Sequence, residues 1–306
     1  VGIGFGGVLM ANNPFAVLFP GQGSQSVGML AELRTQFPGV RHIFSRASEI
    51  LRYDVWELIQ NGPAEKLDQT EFTQPALLVA DVAVWECKKN HFAEQPLYLA
   101  GHSLGEYAAL VCADALAFED AVSLVALRGK YMQEAVAPDE GAMAVIVGLS
   151  DETVRAICDE VRDVSPANYN SIGQVVIAGK TDAIEKAIQL SLEKGAKIAK
   201  KIPVSVPSHC ALMQSAALKL AQKLRAVDIR RAKIPVVQNA DVAIFKTPDT
   251  IRDALIRQLT SPVRWVETIQ WMIQKNIQLF YECGPGKILA GLNKRISKDV
   301  ITENLA

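Results

Sequence analysis

A short apolar run ending in a glycine-flanked serine limits the folds open to this chain more than any other feature. Residues 97–100 read as a buried strand, Gly101-His102-Ser103-Leu104-Gly105 follows, and a helical pattern begins at Leu104. Gly-x-Ser-x-Gly between a strand and a helix suits a sharp turn that presents a serine hydroxyl, with glycine wherever a Cβ would collide with the turn. Strand, turn and helix in that order belong to α/β folds. The five-residue pattern alone also fits an ordinary tight turn; the strand before it and the helix after it favour a nucleophile.

The rest of the chain extends that layout. Residues 15–19 (FAVLF) form a continuous apolar run stopped by Pro20-Gly21, a second buried strand, and helical patterns follow through Trp85. From about 138 to 204 the periodicities run β-α-β-β-α-β. Strands are expected at 142–148, 164–169, 174–178 and 197–204, with one helix at 151–162 capped by Ser150 and another at 181–194 ending at Gly195. That order is ferredoxin-like. A helix at 210–226, a strand at 234–238, helices at 250–259 and 262–275, a strand at 279–281 and a helix beyond Gly286 complete the chain. The expectation is one discontinuous α/β domain, residues 10–137 and 205–306, carrying an inserted ferredoxin-like subdomain at residues 138–204.

Composition narrows the partners. The 306 residues are 49% hydrophobic and carry 32 basic against 33 acidic side chains, net charge −1, so a sizeable core is available and no broad positive field serves nucleic acid. The five cysteines are odd in number, far apart and without a Cys-x-x-Cys pair, which disfavours a disulfide framework or a zinc site and fits a reducing cytoplasm. The N-terminus lacks charge before Glu32, yet Gly2, Gly4, Gly6, Gly7 and Asn12-Asn13-Pro14 break it up too often for a spanning helix, and no basic segment precedes it as in an export signal. Residues 1–9 read as a vector-derived remnant or translated upstream sequence, with Met10 as the native start.

A serine nucleophile needs a base, and there are four histidines. His42 lies among helical charged residues and His91 beside Lys88-Lys89-Asn90, both suited to a solvated face. His102 adjoins Ser103, and neighbouring side chains on a sharp turn diverge. His209, in Val206-Pro207-Ser208-His209 at a strand-to-helix junction, is the candidate base, the alternative being a helix-start histidine bonded to backbone. Arg128 stands on the otherwise apolar stripe Ala121, Leu124, Val125, Met132, Ala135, so it requires an anion. That anion is either an internal carboxylate or part of a substrate. The loop Pro20-Gly21-Gln22-Gly23-Ser24 can turn backbone N–H groups toward a ligand, as a phosphate cradle or an oxyanion hole. Ser26 stands where a dinucleotide fingerprint needs its third glycine, which disfavours a Rossmann cofactor site.

Taken in order, Phe19-Pro-Gly-Gln-Gly-Ser-Gln25, Thr73-Gln74-Pro75-Ala76-Leu77, Gly101-His-Ser-Leu-Gly-Glu-Tyr107, Arg128-Gly129-Lys130, Gly141-Ala142-Met143, Val206-Pro207-Ser208-His209 and Gln258-Leu259 with Ser261-Pro262-Val263 resemble the bacterial malonyl-CoA:acyl-carrier-protein transacylases, acyltransferases of fatty acid and polyketide synthesis. The resemblance runs from Phe15 to the last helix. It implies an α/β-hydrolase-like domain with the ferredoxin-like insertion, a Ser103 nucleophile, a His209 base whose ring is held by the Gln258 main-chain carbonyl, an oxyanion hole from the N–H groups of Gln22 and Leu104, and Arg128 on the malonyl carboxylate.

The implied reaction is ping-pong transfer of malonyl from malonyl-CoA to the phosphopantetheine thiol of acyl carrier protein through a malonyl-serine, with both thiols as substrates, no tightly held cofactor, no metal, no nucleic acid and no membrane. The carrier protein of this pathway is acidic, and Lys197, Lys200 and Lys201, or Arg230, Arg231 and Lys233, are candidate contacts, each also readable as a solvated face. A trans-acting polyketide malonyl transferase, a serine thioesterase or hydrolase and a non-catalytic binding module are the competing readings.

Overall fold

The computed structural model describes residues 14–204 and 206–306; the expected remnant at 1–9 and the start at Met10 lie outside the described residues. The strands are β1 (Phe15–Phe19), β2 (Tyr98–Gly101), β3 (Gly141–Val147), β4 (Val164–Ser171), β5 (Gln174–Lys180), β6 (Ile198–Lys201), β7 (Val236–Gln238), β8 (Ala243–Ile244), β9 (Leu279–Glu282) and β10 (Ile301–Asn304). They form a six-stranded sheet in the order β10-β9-β1-β2-β7-β8, parallel except for β8, and a separate antiparallel sheet in the order β4-β5-β3-β6.

The continuous apolar runs are the central strands because helices cover both faces of the large sheet. Along β1, Phe15, Val17 and Phe19 enter the core built with the helices Thr70–Lys88, Gly105–Cys112 and Phe118–Glu134, whereas Ala16 and Leu18 enter the opposite core with Trp265, Ile269 and Met272. The period-two alternation of a strand thus divides one apolar run between two layers. β2 does the same with Leu99 and Ala100, which places its C-terminal end, and the serine beyond it, at the rim of the sheet.

In the small sheet, Ala144, Ile146, Val175 and Ile177 pack under the helices Asp151–Val161 and Thr181–Glu193. The helix-free face carries Met143, Ala167, Val176 and Ala178 and meets Cys210 of the other unit. Edge strand β4 is pinned to the segment after the helix Pro248–Gln258 by Tyr169 N–H donating to the Val263 carbonyl at 2.9 Å and Val263 N–H donating to the Ala167 carbonyl at 2.9 Å. The cleft between the two sheets is fixed by these contacts.

The expected strand at 197–204 stops at Lys201, since Pro203 has no N–H for the ladder. The expected helix at 210–226 opens with a 3-10 turn, Ala211–Met213, and continues as an α-helix over Gln214–Leu224. β8 and β10 have no counterpart in the expectation: one is two residues long, the other is a polar edge strand, and neither leaves a periodic signal. Among the described residues no helix is long and apolar enough to cross a membrane.

Candidate active site

Ser103 follows β2 with a left-handed backbone, φ 53°. This conformation costs an L-residue roughly 1–2 kcal/mol and is held by its surroundings. A Cβ on Gly101 would fall 1.8 Å from the Gly105 carbonyl carbon, and one on Gly105 would fall 2.1 Å from the Phe19 carbonyl oxygen. Glycine at both positions lets the helix Gly105–Cys112 start immediately behind the serine and press on β1.

The serine hydroxyl donates to His209 Nε2 at 2.7 Å, and His209 Nδ1–H donates to the Gln258 main-chain carbonyl at 2.8 Å. The carbonyl sets the tautomer, leaving the Nε2 lone pair on the serine. His209 is 3% exposed; burial, and then the charge of Arg128, push its pKa down to about 3, so the ring is a neutral base across ordinary pH. Gln258 also contributes its side chain, accepting from Arg128 Nη2 at 2.9 Å and donating to the Ser103 carbonyl at 3.0 Å.

Arg128 is 1% exposed, and its Nη2 also donates to Ser103 Oγ at 3.2 Å. Among the described residues it forms no ion pair and its Nε has no acceptor. The internal carboxylate weighed from the sequence does not engage it: Glu106 acts on the guanidinium through space, and burial lowers the arginine's pKa. A buried cation hydrogen-bonded to an amide and a hydroxyl retains capacity for an anion.

The Pro20-Gly21-Gln22-Gly23 loop lies against the serine turn, with the Gln22 side chain donating to Thr70 Oγ1 at 3.2 Å. Among the described residues no protein acceptor takes the backbone N–H of Gln22 or Leu104. Gln22, Ser103, Leu104, Arg128 and His209 line one cavity of about 150 Å³, together with Met143, Val176 and Asn168 of the small sheet. His42 and His91 are exposed, and His102 turns away from the serine to Asn170 Oδ1 at 2.8 Å. The candidate carrier-protein contacts are all exposed; Lys201, Arg230 and Lys233 are paired with Glu185, Asp228 and Asp114, while Lys197, Lys200 and Arg231 form no ion pair among the described residues.

Three further buried polar residues stand at the site with no role assigned to them from the sequence, although Gln74 and Glu106 lie within motifs that carry the resemblance. Gln74 lines the cavity and donates to Met132 Sδ at 3.3 Å. Glu106, inside an apolar helix, has its pKa raised to about 7 by burial. Asn239 stands beyond β7, beside the serine turn. The polar pair Gln238-Asn239 at a strand end was the available clue, but only the strand order brings it beside Ser103.

The family described as acyl transferase domain matches residues 17–299. Over 285 residues the chain is 52% identical to the malonyl CoA-acyl carrier protein transacylase of Escherichia coli O157:H7, covering 92% of each, and it is 44% identical to that of Bacillus subtilis, covering 94% of this chain and 92% of the relative. Among solved structures, the malonyl CoA-acyl carrier protein transacylase of Coxiella burnetii superposes with a TM-score of 0.94 at 53% identity, covering 96% of this chain and 94% of that one. A malonyl-transacylase solved in complex with its type II PKS acyl-carrier protein superposes at 0.93 with 50% identity, covering 95% of each chain.

Proposed function

The chain belongs to the acyl transferase domain family, and from that membership we propose that it transfers malonyl from malonyl-CoA to the phosphopantetheine thiol of an acyl carrier protein through an ester on Ser103. The observation that carries the reading is the buried Arg128 guanidinium, 3.2 Å from the Ser103 hydroxyl and without a carboxylate partner among the described residues. A malonyl group brings the missing anion to that spot, and acetyl does not.

The steps follow from the groups in place. His209 Nε2 takes the Ser103 proton as the oxygen attacks the thioester carbonyl. The oxyanion is met by the N–H groups of Gln22 and Leu104, a kind of donor worth about 2.7–4 kcal/mol to such a transition state. The C–S bond breaks and the CoA sulfur leaves with the proton from His209. The carrier-protein thiol then gives its proton to the same ring and attacks the malonyl ester, and Ser103 recovers its proton as it leaves. The Gln258 carbonyl keeps the ring oriented and stabilises the transient imidazolium.

The architecture is read here as an α/β-hydrolase-like domain over 10–137 and 205–306 with a ferredoxin-like subdomain over 138–204. The parallel sheet with a serine turn at a strand end supports the first part, and the β-α-β-β-α-β order with strand order β4-β5-β3-β6 supports the second. Docking of the acidic carrier protein is assigned to exposed cations near the insertion, Lys197 and Lys200, or to Arg231. Fatty acid synthesis is the proposed setting; the likeness to a transacylase solved with a type II PKS carrier protein favours a polyketide carrier as the second reading.

The test is incubation with malonyl-CoA and holo acyl carrier protein. Malonyl-carrier protein should form in step with free CoA. Release of malonate at the same rate whether or not the carrier is present contradicts transfer and identifies a hydrolase.

A further inference from the structure

β7 pairs with β2 only through Leu99–Val236 and Ala100–Val237. The chain then turns left-handed at Ser103, and a strand ladder cannot follow it. The groups that lose ladder partners are taken by one side chain. Asn239 Oδ1 accepts from Ser103 N–H at 2.6 Å, and Asn239 Nδ2 donates to the Gly101 carbonyl at 2.6 Å. Asn239 is itself fixed, its backbone N–H donating to Glu106 Oε2 at 2.8 Å and its carbonyl accepting from Arg264 N–H at 3.3 Å. It is fully buried.

We infer that Asn239 is a positioning residue for acylation: its carboxamide continues the β2–β7 ladder across the serine turn, holds Ser103 left-handed and keeps the Ser103 N–H from competing for the oxyanion. The inference rests on reading Ser103 as the acyl acceptor. A carboxamide suits the task because it offers one acceptor and one donor in a plane, as a peptide group does. With the Ser103 N–H occupied, the donors left to the oxyanion are those of Gln22 and Leu104. Glu106 supports Asn239 from the first turn of the helix behind the serine, so the brace closes on both sides of the turn.

The experiment is single-turnover acylation by malonyl-CoA, followed by quenching and intact mass measurement, for wild type, Asn239→Ala and Asn239→Asp. Asn239→Ala should lower the limiting acylation rate by about 10²-fold, the cost of slight misplacement of a reacting group. Its half-saturating malonyl-CoA concentration should stay within about threefold of wild type, since Asn239 stands behind the serine turn and is not among the residues lining the cavity. Asn239→Asp keeps the acceptor but donates to the Gly101 carbonyl only when protonated, in a site shared with Arg128, Asp241 and Glu106, whose own pKa burial raises to about 7 and which titrates in wild type and variant alike. Its rate relative to wild type should rise at least about fivefold from pH 8 to pH 6, a response that a purely structural loss does not give. Asn239→Ala acylating within about threefold of wild type overturns the inference, as does a pH-flat ratio for Asn239→Asp, which alone decides if the alanine variant fails to fold. A parallel arm measures capture of Ser103 by a fluorophosphonate. Wild type captured by that probe but never malonylated contradicts the proposed substrate, and the variant ratios measured with the probe then decide the role of Asn239.

Discussion

Arg128 Nη2 donates to the hydroxyl of Ser103 at 3.2 Å, from a helix 25 residues further along the chain. The two groups meet because the helix Phe118–Glu134 packs on the same face of the large sheet as the helix that starts behind Ser103. The serine hydroxyl and a buried cation therefore open onto one small cavity, and under the proposed reading that arrangement selects an acyl group bearing its own carboxylate.

Substitution of Arg128 tests that selectivity. Arg128→Ala should remove most malonyl transfer, since a charge-assisted hydrogen bond is worth roughly 1.5–3 kcal/mol, or about ten- to a hundredfold, and a bidentate contact more. Acetyl transfer should fall little or rise, because the uncompensated buried charge is gone. Arg128→Lys should recover only part of the malonyl activity. The measurement is kcat/KM for malonyl-CoA and acetyl-CoA, and an unchanged ratio in folded Arg128→Ala contradicts carboxylate recognition.

His209→Ala should slow acylation by about 10²- to 10⁴-fold, while His42→Ala and His91→Ala, on the exposed surface, stay near wild type. Full activity in His209→Ala places the base elsewhere.

The His209 ring also predicts a pH response. Its pKa is lowered to about 3, so the neutral form persists as pH falls through the ordinary histidine value. NMR of the labelled imidazole should show no titration between roughly pH 5 and 8. An inflection near the usual value contradicts the burial and the Arg128 field that hold the ring neutral. In Arg128→Gln that field is lost, and the titration should move upward.

Much of this site was legible in the residues themselves. The serine turn announces itself through Gly101 and Gly105, which are sterically required, and His209 and Arg128 through placement against an otherwise apolar or loop background. Continuous apolar runs located both central strands, β1 at its observed bounds and β2 one residue early, at 97–100 against Tyr98–Gly101. What stayed hidden depends on which strands lie side by side. Asn239 acquires its partners only because β7 neighbours β2, and the Gln258 side chain reaches Arg128 and Ser103 only once the helix Pro248–Gln258 is docked. The short β8 and polar β10 were missed because neither buries a periodic face.

Away from the site, Asp81 offers a stability test. It is fully buried, neither carboxylate oxygen has a hydrogen-bond partner among the described residues, and burial, with the nearby Glu282 charge, raises its pKa well above the ordinary value. The folded state therefore holds a proton that the unfolded chain releases at lower pH, and stability from this group is greatest in acid and declines as pH rises. Asp81→Asn should have the higher Tm at about pH 8, with the difference shrinking toward pH 5. An equal loss at both values contradicts a protonated Asp81.

Every step proposed for the reaction passes through a malonyl ester on Ser103. Brief exposure to malonyl-CoA, then intact mass and peptide mapping, reads that ester out. One malonyl group should map to Ser103 in wild type and be absent from Ser103→Ala; an adduct that survives in Ser103→Ala, or that maps to Cys210 or any other residue, rules out Ser103 as the acyl acceptor.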